Sequence, residues 1–153
     1  MLTVGAASTV INNELGTVIQ GAGVNQTVQF VRDDLEANAL LIRGDDDAVM
    51  LISCDVGVLM PEYVAGFRRT VAEAADIPER GVIIACSHTH SAPSVLPTNR
   101  EKEIDDAWLQ RLDGWLGEVA AEAADSTRPA RIGWGSGNAK IGYNRRCCWS
   151  DGT

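Results

Sequence analysis

Between Asn38 and Cys54 the apolar positions form two dense runs split by a charged one: Ala39-Leu40-Leu41-Ile42-Arg43, then Gly44-Asp45-Asp46-Asp47, then Ala48-Val49-Met50-Leu51-Ile52-Ser53-Cys54. Runs of that length separated by four turn residues predict a β-hairpin. The second run is apolar almost throughout, which predicts a strand buried on both faces. From Pro61 the pattern becomes helical. Val64, Phe67, Val71 and Ala74 recur on one face, Pro61 suits the first helical position, Glu62 suits the first turn, and the pattern stops near Ile77-Pro78. Glu79-Arg80-Gly81 then turns into Val82-Ile83-Ile84-Ala85-Cys86, another apolar run of strand length. Strand, helix, strand predicts a right-handed crossover that lays 48–54 and 82–86 side by side, both finishing at one edge of the sheet.

Further on, Thr98 and Glu101 have the spacing of a capping box, and Ile104, Trp108, Leu112, Trp115, Val119 and Ala123 form one face of a long helix reaching about Asp125. The two tryptophans on that face read as core. Arg128-Pro129-Ala130 breaks the helix, and Arg131-Ile132-Gly133-Trp134-Gly135 reads as a glycine-loosened strand. Residues 1–30 are rich in Gly, Asn, Thr and Val with weak periodicity, which predicts short strands and loops around Gly16, Gly21 and Gly23. With no internal repeat and no linker, the expectation is one α/β domain, a mixed sheet with flanking helices.

Composition narrows the function. At 153 residues and 45% hydrophobic content the chain has the length of one domain with its own core. Thirteen basic against 21 acidic residues give a net charge of −8, which argues against a nucleic-acid or anionic-membrane partner. No apolar run approaches the length of a transmembrane helix. The start, Met1 to Ala7, lacks a basic segment followed by a continuous apolar one, so no signal peptide is expected and the chain reads as cytoplasmic. Cys54, Cys86, Cys147 and Cys148 show no Cys-x-x-Cys spacing; the first two lie in strand-like runs and read as buried free thiols, the last two as tail thiols, which suits a reducing compartment. Asp45-Asp46-Asp47 lacks the spaced ligands of a calcium loop and reads as a solvated turn.

The chemically informative segment is Ser87-His88-Thr89-His90-Ser91-Ala92-Pro93, which carries the only two histidines and directly follows a strand. In open α/β sheets ligands bind outside the carboxyl ends of parallel strands. If the segment stays extended, His88 and His90 project from the same rim and can share a metal or a substrate. The plainer alternative is two histidines that cap a strand and satisfy local hydrogen bonds. Zinc is the first metal to consider, but a catalytic zinc takes three protein ligands and an open position, so other groups must contribute. A metallo-β-lactamase-type site would continue with Asp-His where this chain has Ala92-Pro93, and a barrel amidohydrolase would carry the pair on its first strand; neither context fits.

Cys86-Ser87-His88-Thr89-His90-Ser91-Ala92-Pro93 resembles the His-Thr-His-Ser-Gly-Pro signature of the neutral (non-lysosomal, neutral/alkaline) ceramidases, with Ala92 in place of the usual glycine. In the same order, the glycine-rich start resembles that family's opening strand, Leu40 to Asp55 its paired strands ending in Ser-x-Asp, and Asn144-Arg145 its Asn-Arg motif. The resemblance implies a zinc-dependent hydrolase of the amide bond of N-acylsphingosine, with residues 1–153 as the N-terminal portion of the catalytic domain. His88 would be a zinc ligand, His90 the acid or base facing the substrate, Arg145 with Asn144 the groups that bind it, and Asp55 a carboxylate standing behind the metal ligand. The family draws its other ligands, a histidine, a glutamate and a tyrosine, from further along, so the remainder of the domain is expected downstream and this chain is expected to be inactive alone. Arg145 is expected to approach the histidines, and Asp55 to lie beside them. Ala92 and Arg146, where the family commonly has serine, leave open a same-fold zinc hydrolase acting on a different amide or ester; a truncated, non-catalytic domain is the third reading.

Overall fold

Gly44 to Asp47 are exposed and reverse the chain between β2 (Glu36–Arg43) and β3 (Ala48–Cys54), with the Gly44 N–H donating to the Asp47 carbonyl at 2.7 Å. The predicted hairpin is therefore present, and the aspartates form a solvated turn. The computed structural model describes residues 1–21, 26–96 and 104–142. Pro61 opens α1 (Pro61–Ala74), a 3-10 turn at Glu79–Gly81 follows, and β4 (Val82–Cys86) pairs parallel with β3 from Met50 opposite Val82 to Cys54 opposite Cys86. Both strands end at one edge, as the crossover requires. β1 (Thr3–Val10) lies antiparallel to β2, and the two-residue β5 (Arg128–Pro129) pairs with β1, giving a mixed sheet of order β4-β3-β2-β1-β5.

The second helix, α2 (Asp106–Asp125), starts later than the capping-box spacing predicts. Its cap is Asp105, whose carboxylate accepts the Trp108 N–H at 2.9 Å. Thr98 and Glu101 lie outside the described residues. Trp108 is fully buried and its indole N–H donates to the Ile11 carbonyl at 2.8 Å, so the largest core side chain leaves no unpaired polar atom. Trp115 meets it edge to face, 6.4 Å between ring centres. The strand predicted at Arg131 to Gly135 does not form. Only Arg128 and Pro129 pair with β1, after which residues 130–142 have no regular structure and Trp134 is 94% exposed. No helix among the described residues is long and apolar enough to cross a membrane.

Leu41, Met50, Ile52 and Cys54 from the sheet are buried together with Phe67 and Val71 of α1 and Leu112 and Leu116 of α2. β3 alternates buried and exposed, contrary to the two-sided burial its composition predicts. On the other face, Leu51 is 37% and Ile83 53% exposed, and Ala6, Ser8, Ser53 and Ala85 join them in a shallow hollow of about 690 Å³. Both helices pack on one side, so the apolar run does not mean that both faces of β3 are covered. Truncating Ile52 to alanine is expected to cost roughly 2–4 kcal/mol in urea unfolding, and Ile83→Ala under about 1 kcal/mol. Equal losses would contradict the one-sided packing.

Candidate active site at the ends of β3 and β4

Backbone pairing continues past the last strand residues. The Ser87 N–H donates to the Cys54 carbonyl at 3.0 Å and the His88 N–H to the Val56 carbonyl at 3.1 Å. His88 then bends out of the extended conformation, with φ at +63°. A non-glycine residue in that region is uncommon, and here two bonds over-determine it: the backbone bond to Val56 and a 2.5 Å contact between the His88 Nδ1 and the Gly57 carbonyl oxygen. The segment is therefore not the extended rim that the His-x-His spacing predicts. The two imidazoles meet all the same, 5.1 Å between ring centres at 74°.

A carbonyl oxygen can only accept. Nδ1 of His88 must then carry the proton, which leaves Nε2 as the ring's lone-pair donor when the ring is neutral. Metal-binding histidines are commonly oriented in this way, their second nitrogen donating to a carbonyl or carboxylate. His88 therefore fits a metal as one donor. Among the described residues no group of three His, Cys, Asp or Glu side chains could complete a metal site.

Beyond the histidines, Ser91 turns back on Thr89, its N–H reaching the Thr89 Oγ1 at 3.3 Å. The chain is then clamped to the early segment: the Gln20 N–H donates to the Ala92 carbonyl at 2.9 Å, and the Ser94 N–H to the Val18 carbonyl at 3.0 Å. Ala92 is fully buried and is not among the described residues with positive φ, so alanine occupies this position without backbone strain. Asp55 lies on the neighbouring strand end, beside the Val56 that holds His88, but its carboxylate accepts the Glu36 N–H at 3.2 Å and so ties β3 to the start of β2. It also lines, with Thr89 and Ser91, a groove of about 620 Å³ whose outer wall includes the exposed Phe30 and Val31. Asn144, Arg145, Cys147 and Cys148 lie outside the described residues, as does the expected approach of Arg145 to the histidines.

Cys54 and Cys86 are free thiols facing one another in register. Burial pushes the Cys54 thiol up to about 12, and the neighbouring Cys86 and Asp55 add to the rise. Above the unfolded-chain value the unfolded state has lost a proton that the native state keeps. Stability is then full below about pH 9 and falls as pH rises toward 12, by up to ~4 kcal/mol from this group. Relative to wild type, Cys54→Ala is expected to flatten that alkaline decline in urea unfolding measured between about pH 8 and 11. Parallel pH curves would show that Cys54 ionises alike in both states.

Two solved ceramidase structures share the fold that carries this site. The neutral ceramidase from Pseudomonas aeruginosa superposes on 84% of this chain with a TM-score of 0.72 at 15% sequence identity, and the match spans 22% of that chain. A ceramidase complexed with C2 gives a TM-score of 0.71 at 15% identity with the same coverage. The fold is theirs. This chain spans about a fifth of the length of those ceramidases. No protein-family model matches the sequence, and no curated protein sequence is similar to it.

Within this ceramidase-like fold, reasoning from the sequence missed two site residues. Gly57 supplies the carbonyl that orients His88, and Gly21 packs against His90. The signal for Gly57 was its place directly after the strand end at Asp55-Val56; the signal for Gly21 was only that of a loop glycine.

Proposed function

We propose that this chain is part of a zinc-dependent amide hydrolase of the neutral ceramidase type, acting on an N-acyl amide such as N-acylsphingosine. The observation that carries the reading is the state of His88, whose Nδ1–H is committed to the Gly57 carbonyl and whose Nε2 is thereby left as a donor, on a fold shared with neutral ceramidase. His88 would hold the metal together with ligands from outside the described residues. Zinc, when bound, supplies a Lewis acid that acidifies water and polarises a carbonyl.

The chain's own residues divide the remaining work. His90 lies within ring contact of His88 and is exposed at the rim, where it can hand a proton to the leaving amine nitrogen. An amine leaves poorly unless protonated, so this role differs from that of His88. The groove past Asp55, Thr89 and Ser91 offers the exposed Phe30 and Val31 to the apolar part of the substrate. Asn144 and Arg145 are assigned to the substrate by the motif they resemble, with the guanidinium suited to the oxyanion.

The test is fatty-acid release from N-acylsphingosine by the protein expressed from the whole reading frame that encodes this chain, before and after chelation. Turnover that is lost on chelation and restored by zinc supports the reading. Turnover of other amides or of esters alone moves the substrate class while keeping the hydrolase, and a folded, zinc-loaded protein that cleaves none of them contradicts it. The 153-residue chain by itself is expected to hold zinc weakly and to be inactive, because the family it resembles draws its remaining metal ligands from further along.

A further inference from the structure

Two glycines of the early segment share a left-handed backbone, Gly16 at φ +86° and Gly21 at φ +85°. They differ in what surrounds them. A Cβ on Gly16 would meet nothing within 4 Å, so glycine is required there by conformation alone. A Cβ on Gly21 would lie 2.7 Å from Cγ, 2.9 Å from Nδ1 and 3.1 Å from Cβ of His90.

We propose that Gly21 is a positioning residue for His90: its bare backbone is the wall against which the root of the imidazole is seated. The contact falls on Cβ and Cγ, so rotating the ring about its own bond cannot relieve it. A side chain at position 21 must therefore swing His90 about χ1 and out of its 5.1 Å edge contact with His88. Gly21 cannot retreat instead. The residues before it are clamped to the segment that follows the histidines, Gln20 to Ala92 at 2.9 Å and Val18 to Ser94 at 3.0 Å, so wall and ring belong to one hydrogen-bonded unit. His88 is seated separately, through Val56 and Gly57, and does not depend on this wall.

The consequence for catalysis rests on His90 being the proton-transfer group; the contact itself does not. With only two histidines in the chain, the imidazole spectrum holds two sets of signals, assignable with His88→Asn and His90→Asn. At one fixed pH, Gly21→Ala is expected to shift the His90 set strongly and the His88 set only by the lost ring-current effect of its neighbour. Gly16→Ala carries the same backbone strain without the contact and is expected to move neither set. In the wild type a nuclear Overhauser effect between Gly21 Hα and His90 Hβ is expected, and this needs no variant to fold. Absence of that effect, or an equal disturbance of His90 by both substitutions, overturns the proposal. In the turnover assay Gly21→Ala should lower kcat about 10-fold or more while Gly16→Ala does not. If the protein hydrolyses no amide, the proposed function fails while the magnetic-resonance result still decides the seating of His90.

Discussion

Gly5→Ala is expected to lower the melting temperature by roughly 6–12 °C. Gly5 sits in β1 where the strand passes under the last turn of α2. A Cβ there would overlap the backbone carbonyl oxygen of Ala123 and press on the Thr127 Cγ2 at 3.0 Å. A backbone oxygen cannot rotate away, so the helix must lift from the sheet. α2 carries Trp108, Leu112, Leu116 and Val119 into the core, and lifting it opens that core along its length. The cost is about 3 kcal/mol, the upper end of ordinary overpacking, against a total stability of roughly 5–15 kcal/mol. Gly114 in the same helix is the control. It is exposed, a Cβ there meets nothing within 4 Å, and Gly114→Ala is expected to gain about 0.5–1 kcal/mol from helix propensity. Thermal unfolding of the two variants that moved in the same direction would contradict the close β1–α2 approach.

The largest effect on activity is expected at His90. If it protonates the leaving amine, His90→Ala should reduce kcat/KM for an N-acyl amide by about 10²- to 10⁴-fold, or about 2.7–5.4 kcal/mol of transition-state stabilisation. Bound zinc should be unchanged in His90→Ala and lost in His88→Ala. That split separates a proton-transfer role from a metal-ligand role, which a uniform loss in both variants would not. An amide with an activated, low-pKa leaving group should lose less than N-acylsphingosine does, because such a group departs without protonation.

The hairpin, the first helix and the parallel strand beside it were legible because each rests on local pattern: dense apolar runs, four turn residues, a proline at a helix start. β1 was not legible in detail. Its residues, Thr3 to Val10, are small and mixed, and the strand is made by its eight-residue pairing with β2 and by the space Gly5 leaves under α2. The start of α2 was misplaced because Thr98 and Glu101 have the spacing of a cap while Asp105 makes the bond. One-sided burial of β3 could not be read from an apolar run, which does not record the position of the covering helices.

At the site, the histidines stood out as the only two in the chain, placed directly after a strand. Their geometry did not follow from the i, i+2 rule. It comes from Val56 and Gly57, in the bend that follows β3 and distant in sequence, which turn His88 into the left-handed region. Asp55 stood out as the carboxylate after the strand beside the histidines, but its carboxylate is bonded to the Glu36 backbone, a partner that no spacing in the sequence indicates.

With the Nδ1–H of His88 committed to the Gly57 carbonyl, Nε2 is the ring nitrogen left to bind a metal. The imidazole nitrogen spectrum of ¹⁵N-labelled protein at about pH 8, with and without excess zinc, tests this most directly. The predicted result is a His88 ring protonated at Nδ1 in both conditions, with its Nε2 resonance moved by zinc. A His88 ring protonated at Nε2, or an Nε2 resonance that zinc leaves unmoved, would contradict it.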